Sequence, residues 1–550
     1  MLKRKTVRTL LFVVLIGAML MAAACTKQDA SPSSSDTDNV QPEPADEEAL
    51  REAVTFPLEK PITLTAFANR HADAKAYNEM AFFKNVEEKT NIRIEWDLAV
   101  QASLVERRNL LLSSNDLPDI FYGASILQND DMLRMINQGQ LIPIDDMIEL
   151  YAPNFNKILK QRPDIRKVIT AADGHIYTIP HIYESMVNTA PDAMFINKEW
   201  LDALGLAVPE TTEELYNVLR AFKTQDPNGN GKADELPMSF RYQNAKNQSA
   251  IQSAASLSGS FGPIDQQQHK HIAIEDGKLV FVPMTEGYKT YANYMRTLYQ
   301  EGLIDPEVFT QDNQVYNAKI EAEESLIGVW FGWNVTGRFG SVEQSPYIPV
   351  APLKGPAGRQ EWNRVEPRVA IGSFAITRAN SHPEASLAWM DQMLTEESSM
   401  EAFWGPFGIN LVRNEDGTID FAPKPEGMTN PQFRHSDAPG TNAVPILLSD
   451  MLEKVVPNPA EAEKFELLEL YRPYQSKEIL PGMLLSNEES ETLALIESDI
   501  VNYVEDKLAQ WIFNGNIEAE WNAYAEQLKQ MNVEEYVTIY QQAYDRYTSQ

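Results

Sequence analysis

Apolar and polar residues follow two different periods in the first part of the folded chain. Residues 62–67 and 92–96 alternate at every second position, and residues 119–122 form a short buried strand that is apolar after Asp119. Both patterns are typical of strands. Between these runs, residues 75–89 and 104–112 carry apolar side chains at helical spacing. Strands that alternate with helices predict a parallel sheet with helices on its faces, which is an α/β arrangement.

The same two periods continue through the rest of the chain. Thr211 and Glu214 have the spacing of a capping box, which predicts the start of a helix with an apolar face from Leu215 to Phe222. The other predicted elements are a helix opened by 139–146, a hairpin turn and strand at 173–180, strands at 193–197, 326–331 and 369–376, and helices at 198–204, 287–302, 383–394 and beyond 460.

The N-terminus has the features of a targeting signal. Four basic residues precede an apolar run at 9–24, which is too short and too one-sided to span a membrane in the mature protein. The run ends at Cys25, the only cysteine, and this ending resembles the lipobox of bacterial lipoproteins, with Ala22 in place of a larger aliphatic residue. The resemblance implies that 1–24 is a lipoprotein signal peptide and that Cys25 is lipidated. An ordinary signal peptide with an unused thiol is the alternative.

Length, composition and charge narrow the classes of function. At 550 residues the chain is too long for one core, so two or more lobes are expected. A net charge of −32 argues against nucleic acid as a partner, because phosphates require lysine and arginine patches. Residues 25–55 begin with Cys25 and are rich in Ser, Asp, Pro and Glu, which predicts a flexible tether between the membrane and the folded part.

The loop at 226–235 has oxygen-bearing side chains in a regular spacing. Gly229 and Gly231 allow a tight turn between them, and Ca²⁺ accepts carboxylate, amide and carbonyl oxygens together. Pro237 stands where an EF-hand has its bidentate Glu, so the loop is a candidate calcium site of another type; a polar Asn-Gly turn is the alternative. The predicted ligands are Asp226, Asn228, Asn230, the Lys232 carbonyl, Asp234 and Glu235.

Five short segments in a fixed order resemble one family. They are the lipobox, a strand entry at 117–120, a hairpin at 173–177, a strand–helix junction at 195–201 and a helix pair at 383–404. Together they resemble the extracellular solute-binding proteins of bacterial ABC importers that bind sugars and oligosaccharides, and the resemblance covers about 56–550. The loop at 226–235 is similar to a calcium loop in the lipoprotein subgroup that includes alginate-binding proteins and lipoproteins of the LplA type.

The resemblance implies an α/β protein of the two-lobe, class II periplasmic-binding-protein type. Its ligand cleft would lie between the lobes, and its C-terminal region would be rich in helices. The expected N-terminal lobe comprises 56–183 and 373–427, and the expected C-terminal lobe comprises 184–372 and 428–550 with the calcium loop. The resemblance further implies a monomer, lipid-anchored on the extracellular face of a bacterial membrane, that delivers its ligand to permease subunits without catalysis.

Aromatic and planar polar side chains near strand ends are candidates for sugar contact, because sugars present flat CH faces and rings of hydroxyl groups. Core packing is the alternative for each aromatic residue. Arg70 could also bind a carboxylate of an acidic sugar with both of its terminal nitrogens. The predicted ligand-binding residues are Asn69, Arg70, Tyr122, Tyr177, Trp330, Trp333, Trp404 and Phe407.

Other chemistry has weaker support in the sequence. His269 and His271 could bind a transition metal, but two histidines without further ligands nearby are usually solvated. Carboxylate pairs such as Asp145 and Asp146 could serve glycoside hydrolysis, although pairs are expected by chance among 79 acidic residues. The sequence contains no zinc-protease, Gly-x-Ser-x-Gly or P-loop motif. We therefore predict no catalytic residues, and keep two alternatives: a receptor for a peptide or other solute, and a secreted glycoside-active enzyme.

Overall fold

The computed structural model describes residues 54–72, 74–190, 192–242, 253–266, 270–365 and 369–549. The predicted signal peptide, the predicted lipidation site Cys25 and nearly all of the tether lie outside the described residues. The described residues belong to one compact unit. Within it, no helix combines the length and the apolar character needed to cross a membrane.

The first stretch of the chain forms the alternating strands and helices that the periodicity predicts. Strand β1 pairs in parallel with β2 and with β3, with Ile62 opposite Ile92 and Ala66 opposite Ile120. The elements of this stretch, in chain order, are β1 (Ile62–Arg70), α1 (Ala81–Thr90), β2 (Ile92–Val100), α2 (Gln101–Ser114), β3 (Ile120–Tyr122), α3 (Asn129–Asn137), α4 (Asp145–Tyr151), α5 (Pro153–Gln161), α6 (Pro163–Ile169) and β4 (Thr178–Tyr183).

The second stretch builds a separate sheet. Its helix α8 begins with the predicted capping box, since Thr211 and Glu214 each accept a hydrogen bond from the other's backbone N–H at 3.1 Å. The elements are β5 (Ala193–Asn197), α7 (Lys198–Leu204), α8 (Thr212–Thr224), β6 (Leu236–Met238), β7 (Ile272–Glu275), β8 (Lys278–Phe281), α9 (Glu286–Gln300), α10 (Asn313–Ile320), β9 (Ile327–Gly332), α11 (Thr336–Phe339) and β10 (Tyr347–Val350).

The remaining chain returns to the first sheet and then ends in helices. The elements are β11 (Val369–Ile376), α12 (Pro383–Asp391), α13 (Glu396–Trp404), β12 (Leu411–Arg413), β13 (Ile419–Phe421), α14 (Asn430–Arg434), β14 (Ile446–Leu447), α15 (Ser449–Leu452), α16 (Pro459–Tyr471), α17 (Asn487–Phe513), α18 (Ile517–Gln530) and α19 (Val533–Ser549). Helix α12 begins with Pro383 in its first turn, where the missing N–H does no harm.

Two main sheets, each with its own buried core, define two lobes. The sheet of the first lobe has the order β14-β4-β11-β3-β1-β2, and the sheet of the second lobe has the order β10-β5-β9-β6. Buried apolar residues such as Ile120 and Trp389 form the core of the first lobe. Residues such as Phe195 and Leu219 form the core of the second lobe, and α17, α18 and α19 pack around a further core next to it. The structure is therefore the expected two-lobe α/β fold with a helix-rich C-terminal region.

The boundary of the first lobe lies later in the chain than 427, where the sequence places it. Ile446 pairs with Ile182 of β4, and Val444 lies in the core of the first lobe. Val455 still forms a bridge with Ile419, whereas Leu467 of α16 lies in the core of the second lobe. Residues 428–455 thus belong to the first lobe, because their apolar side chains are buried there.

Candidate functional site

The hinge between the lobes is formed where the chain leaves and re-enters the first sheet. The end of β4 and the start of β11 are neighbours, with Ile182 opposite Val369. Further along the same two connections, Val365 donates a backbone hydrogen bond to the Thr189 carbonyl at 2.9 Å. The two connections therefore run side by side between the lobes.

A large cavity of about 690 Å³ is lined by both lobes. The first lobe contributes Ser125 to Asp130 after β3, together with Val369 to Ile371 of β11. The second lobe contributes the side of α17 from Ser490 to Asn502, together with Lys270 and Tyr540. Sites for small organic ligands commonly have volumes of this order, so the large cavity is the candidate ligand site.

A hydrogen-bonded triad stands in the wall of the large cavity. The Lys270 ammonium donates to Glu497 Oε1 at 3.0 Å and to the Tyr540 hydroxyl at 2.6 Å. The Tyr540 hydroxyl donates to Glu497 Oε2 at 2.7 Å. Burial and the Glu497 carboxylate raise the pKa of Tyr540, so this hydroxyl keeps its proton. The triad offers a cation and an anion side by side, which suits a ligand that both donates and accepts hydrogen bonds.

A small cavity of about 130 Å³ lies inside the second lobe, next to the hinge. Asp192 and Asn363, which flank the two hinge connections, line it. Burial raises the pKa of Asp192 to about 7, against the opposing effects of the Ser256 hydroxyl and Lys464. Ser256 Oγ donates to the two carboxylate oxygens of Asp192, at 3.0 and 3.1 Å. The aromatic side chains of the lining are Phe240, Tyr242, His271, Tyr288 and Tyr291.

A buried lysine lies beside a half-buried tryptophan at the end of β9. The Lys464 side chain is fully buried, and its Nζ is 5.8 Å from the centroid of the Trp333 ring. Within the described part of the chain, Nζ has no hydrogen-bond partner. Burial lowers the pKa of Lys464 to about 8, while Asp192 and Glu463 act in the opposite direction. A buried ammonium without a hydrogen-bond acceptor is unfavourable, so Lys464 is a candidate for contact with a ligand or water.

The first lobe presents a polar rim at the ends of β1 and β3. Asn69 Nδ2 donates to Asn442 Oδ1 at 3.3 Å, while Asn69 Oδ1 is buried and has no partner among the described residues. Gly123 has a φ of +142°, and a Cβ there would overlap Asn69 Oδ1, so only glycine fits beside this amide. The His71 and His435 rings stack with centroids 4.4 Å apart. Asn69 is thus part of a packed polar rim.

Three of the predicted aromatic contacts lie in hydrophobic cores instead. Tyr122, Trp330 and Trp404 are 1%, 0% and 5% exposed. Tyr122 packs edge-on against Trp96 and Trp389, and Trp330 stacks on Phe195 at 4.6 Å between ring centroids. We therefore correct the expected role of these three residues. They stabilise the lobes, because β3 and β9 are buried along their whole length and Trp404 lies on the buried side of α13 in a core cluster.

The other predicted contacts lie at scattered positions near lobe surfaces. Tyr177 donates to Asp173 at 2.8 Å, and burial together with Asp173 raises the pKa of Tyr177 to about 12. Arg70 donates to the Ala74 carbonyl. Phe407 is half-buried beneath Arg413. Neither the large nor the small cavity includes any of the eight predicted residues, so ligand contact by Asn69, Arg70, Tyr177, Trp333 and Phe407 stays a prediction.

The calcium-type loop follows α8 and folds around its own polar side chains. Asp226 Oδ2 accepts from the Gly231 N–H at 3.1 Å, and Asn230 Oδ1 accepts from the Lys232 N–H at 2.8 Å. The side-chain amides of Asn228 and Asn230 both donate to Asp234 at 3.3 Å. Across the described ranges, no three His, Cys, Asp or Glu side chains form a metal-binding group. A cation in this loop would therefore need amide and carbonyl oxygens besides the carboxylates.

Residues 66–400 match the model of the bacterial extracellular solute-binding protein family. The chain belongs to this family. The family is described as extracellular solute-binding proteins, and the relative named next is described as the substrate-binding protein of an ABC transporter.

Relatives in this family match almost the whole chain. The fructooligosaccharide ABC transporter substrate-binding protein FusA of Streptococcus pneumoniae is 33% identical, with 97% of each chain covered. The FusA structure in complex with kestose has a TM-score of 0.75 at 31% identity and covers 88% of this chain and 99% of that one. An HMO-binding solute-binding protein of Bifidobacterium longum infantis has a TM-score of 0.79 at 25% identity, covering 89% of this chain and 100% of that one.

Most of the residues that line the two cavities were not predicted from the sequence. Lys270, Glu497 and Tyr540 come from three separate segments, so no local motif joins them. The sequence indicates His271 only as half of a metal pair with His269, which lies outside the described residues. One usable signal was the mixed side of α17, where Ser490, Glu497 and Asn502 alternate with Leu493 and Val501 at helical spacing.

Proposed function

We propose that the protein captures an oligosaccharide between its two lobes and delivers it unchanged to an ABC transporter permease. The observation that carries this proposal is the large cavity, because both lobes line it and about half of its lining is polar. The full-length similarity to FusA, which is described as a fructooligosaccharide-binding protein, supports a carbohydrate ligand. A ligand that contacts both lobes favours the closed state through its higher affinity for that state.

The side chains of the large cavity suit a neutral sugar. Ser125, Gln128 and Asn129 supply neutral hydrogen-bonding groups from the first lobe. In the second lobe, the positive charge of Lys270 is already paired with Glu497. The cavity wall therefore offers many hydrogen bonds without an unpaired cation for a carboxylate, which favours hydroxyl-rich ligands over acidic ones.

For the location, we propose the arrangement that the N-terminal sequence predicts. A signal peptide at 1–24 would direct export, and lipidation of Cys25 would hold the protein at the extracellular face of the membrane. The tether up to residue 55 would let the folded part reach the permease subunits as a monomer. The similarity to lipobox sequences supports this proposal.

For the loop at 226–235, we propose calcium binding. Glu235 is 2% exposed, and its Oε1 has no hydrogen-bond partner among the described residues. A buried carboxylate oxygen of this kind is suited to bind a cation. The donor set of carboxylates, amides and one carbonyl is the kind that Ca²⁺ prefers. A FusA EF-hand mutant solved with fructo-nystose, with a TM-score of 0.74 at 31% identity and 88% and 99% coverage, supports the presence of such a loop in a relative. Bound Ca²⁺ would hold the loop together without chemistry.

Titration calorimetry tests the main proposal. The protein is titrated with kestose, nystose, maltotriose and a tetrapeptide, and each mixture is afterwards analysed by chromatography for cleaved products. We expect binding heat with at least one oligosaccharide, no heat with the peptide, and no products. Heat with the peptide alone would favour the alternative receptor, and sugar products would favour the alternative enzyme.

A further inference from the structure

One side of α17 lines both cavities in succession. Val504, Glu505, Leu508 and Ile512 line the small cavity, and they continue the row of residues from Ser490 to Asn502 that lines the large one. Spacings of three and four residues place side chains on the same side of a helix. From residue 490 to residue 512 this side extends over about 33 Å. The two cavities therefore lie end to end along one helix.

A second segment, residues 270 and 271, also contributes side chains to both cavities. Lys270 lines the large cavity, and the next residue, His271, lines the small one. The small cavity ends against Met295 and Ile512, which are both 1% exposed. Ile512 and Met295 belong to the core of the second lobe. Core side chains therefore close the end of the small cavity that lies farther along α17 from the large one.

The small cavity holds buried polar atoms that lack protein partners. In the described ranges, neither the Tyr288 hydroxyl nor His271 Nε2 has a hydrogen-bond partner. The Asp192 carboxylate, which accepts from Ser256, lies in the same lining and is 2% exposed. Buried polar groups that stay unpaired destabilise a fold, and they are rare in native proteins. Their presence in one cavity points to a ligand that supplies the missing partners.

The lining has the two surface types that a sugar ring needs. The aromatic rings of Tyr242, Tyr288 and Tyr291 offer flat apolar faces, and such faces suit the CH groups of a sugar. The hydroxyl, imidazole and carboxylate groups nearby can each pair with a sugar hydroxyl, which donates one hydrogen bond and accepts others. At about 130 Å³ the small cavity is much smaller than the large one, so its size suits a single unit better than a chain.

We propose that the small cavity is a terminal subsite, which binds the end unit of an oligosaccharide whose other units lie in the large cavity. This inference rests on the proposed function and deepens it. The protein would then recognise the end of a sugar chain rather than a segment from its middle. Tyr288 would donate its hydroxyl hydrogen to the end unit.

A pair of matched tyrosine variants tests the subsite. Tyr288→Phe removes a hydroxyl that lines the small cavity, and Tyr524→Phe removes one that is also buried and unpartnered in the described structure but lines neither cavity. Calorimetry uses kestose and maltotriose. We expect Tyr288→Phe to bind the recognised sugar about three- to tenfold more weakly, the range for one lost hydrogen bond. Tyr524→Phe should bind like the wild type, and neither variant should melt at a lower temperature.

The stoichiometry with a polymer supplies an independent measurement. Inulin and amylose are long chains of the units found in the two probe sugars. Recognition of chain ends gives at most one protein bound at each end of a chain, whereas an open groove gives several proteins bound along it. Wild-type affinity in Tyr288→Phe, or several proteins along each chain, overturns this inference alone. A wild-type protein that binds no oligosaccharide overturns the proposed function as well.

Discussion

Two buried ionisable residues, Asp192 and Lys464, influence each other's pKa close to the hinge. Asp192 and Lys464 are 2% and 0% exposed, and each shifts the pKa of the other towards its charged form. Burial nevertheless dominates for both residues, so each has a strongly altered pKa. Groups of this kind are common in functional sites, although ion pairs with a structural role produce them too. The pair therefore gives a measurable link between the cleft and the stability of the protein.

We expect Asp192→Asn to change how stability depends on pH. Burial raises the pKa of Asp192 to about 7 in the folded protein, whereas an unfolded chain has the ordinary value near 3.9. The folded state therefore binds the extra proton between these values, and the contribution of Asp192 to stability falls as pH rises towards 7. Asn resembles the protonated side chain, so the melting temperature of the variant relative to wild type should rise from pH 5 to pH 8. The exposed Asp202→Asn is the control, and a difference that stays constant with pH would contradict the expectation.

The positions of single aromatic residues show why the residues that line the cavities could not be predicted from the sequence. Trp330 and Trp333 both lie near glycines at the end of β9, yet Trp330 is in the core and Trp333 is half-buried. All residues of β9 are buried, so alternation could not separate a cleft face from a core face. Tyr288 and His271 are brought together only by tertiary packing, and no sequence period reports such contacts.

Among the elements, the strands and helices with strong periods were predicted well. Strand β5 and helix α7 have the predicted bounds, and the capping box of α8 is formed. These elements are determined by residues close together in the chain. The boundary at 427 was wrong because β14 has only two residues, Ile446 and Leu447, which cannot show a period. Its place in the first sheet depends on pairing with β4, more than 260 residues earlier.

The loop at 226–235 gives a prediction at the level of a single element. If Ca²⁺ binds there, it stabilises the folded state in proportion to its occupancy. Asp226→Ala and Asp234→Ala should each lower the melting temperature in Ca²⁺ and abolish the decrease that a chelator causes in the wild type. Differential scanning fluorimetry with and without chelator measures this.

The control for the loop is a neighbouring carboxylate outside the predicted ligand set. Glu324 lies 3.9 Å from Lys232 Nζ and is largely exposed. Glu324→Ala should keep the wild-type response to the chelator. A wild-type melting temperature that does not change on chelation would show that the loop folds without a cation, held by hydrogen bonds such as the one from Gly231 to Asp226.

At the scale of the molecule, the lobes are built as separate cores, and the large cavity is where a ligand can join them. The described helix α17 belongs mainly to the core of the C-terminal helices, yet its outer side faces Ser125 to Asp130 of the first lobe across that cavity. A direct contact from Asn487 to Asn137, at 2.7 Å, connects the two parts beside it. A ligand bound in the large cavity would therefore contact both lobes at once.

A ligand that joins the lobes should suppress local opening on both sides of the cleft. Amide exchange requires such opening, so hydrogen exchange with bound kestose should slow in peptides covering 120–132 of the first lobe and 285–296 and 490–508 of the second. The peptide covering 153–169, which contains α5 and α6 and lines neither cavity, should exchange at the same rate with and without the sugar. Protection confined to one lobe would mean that kestose binds without bridging the lobes, and would contradict capture by closure.

The same measurement on Tyr288→Phe connects the terminal subsite to the closed state. We expect kestose to slow amide exchange at 285–296 less in this variant than in the wild type, because the end unit contacts the second lobe next to its hinge residue Asp192.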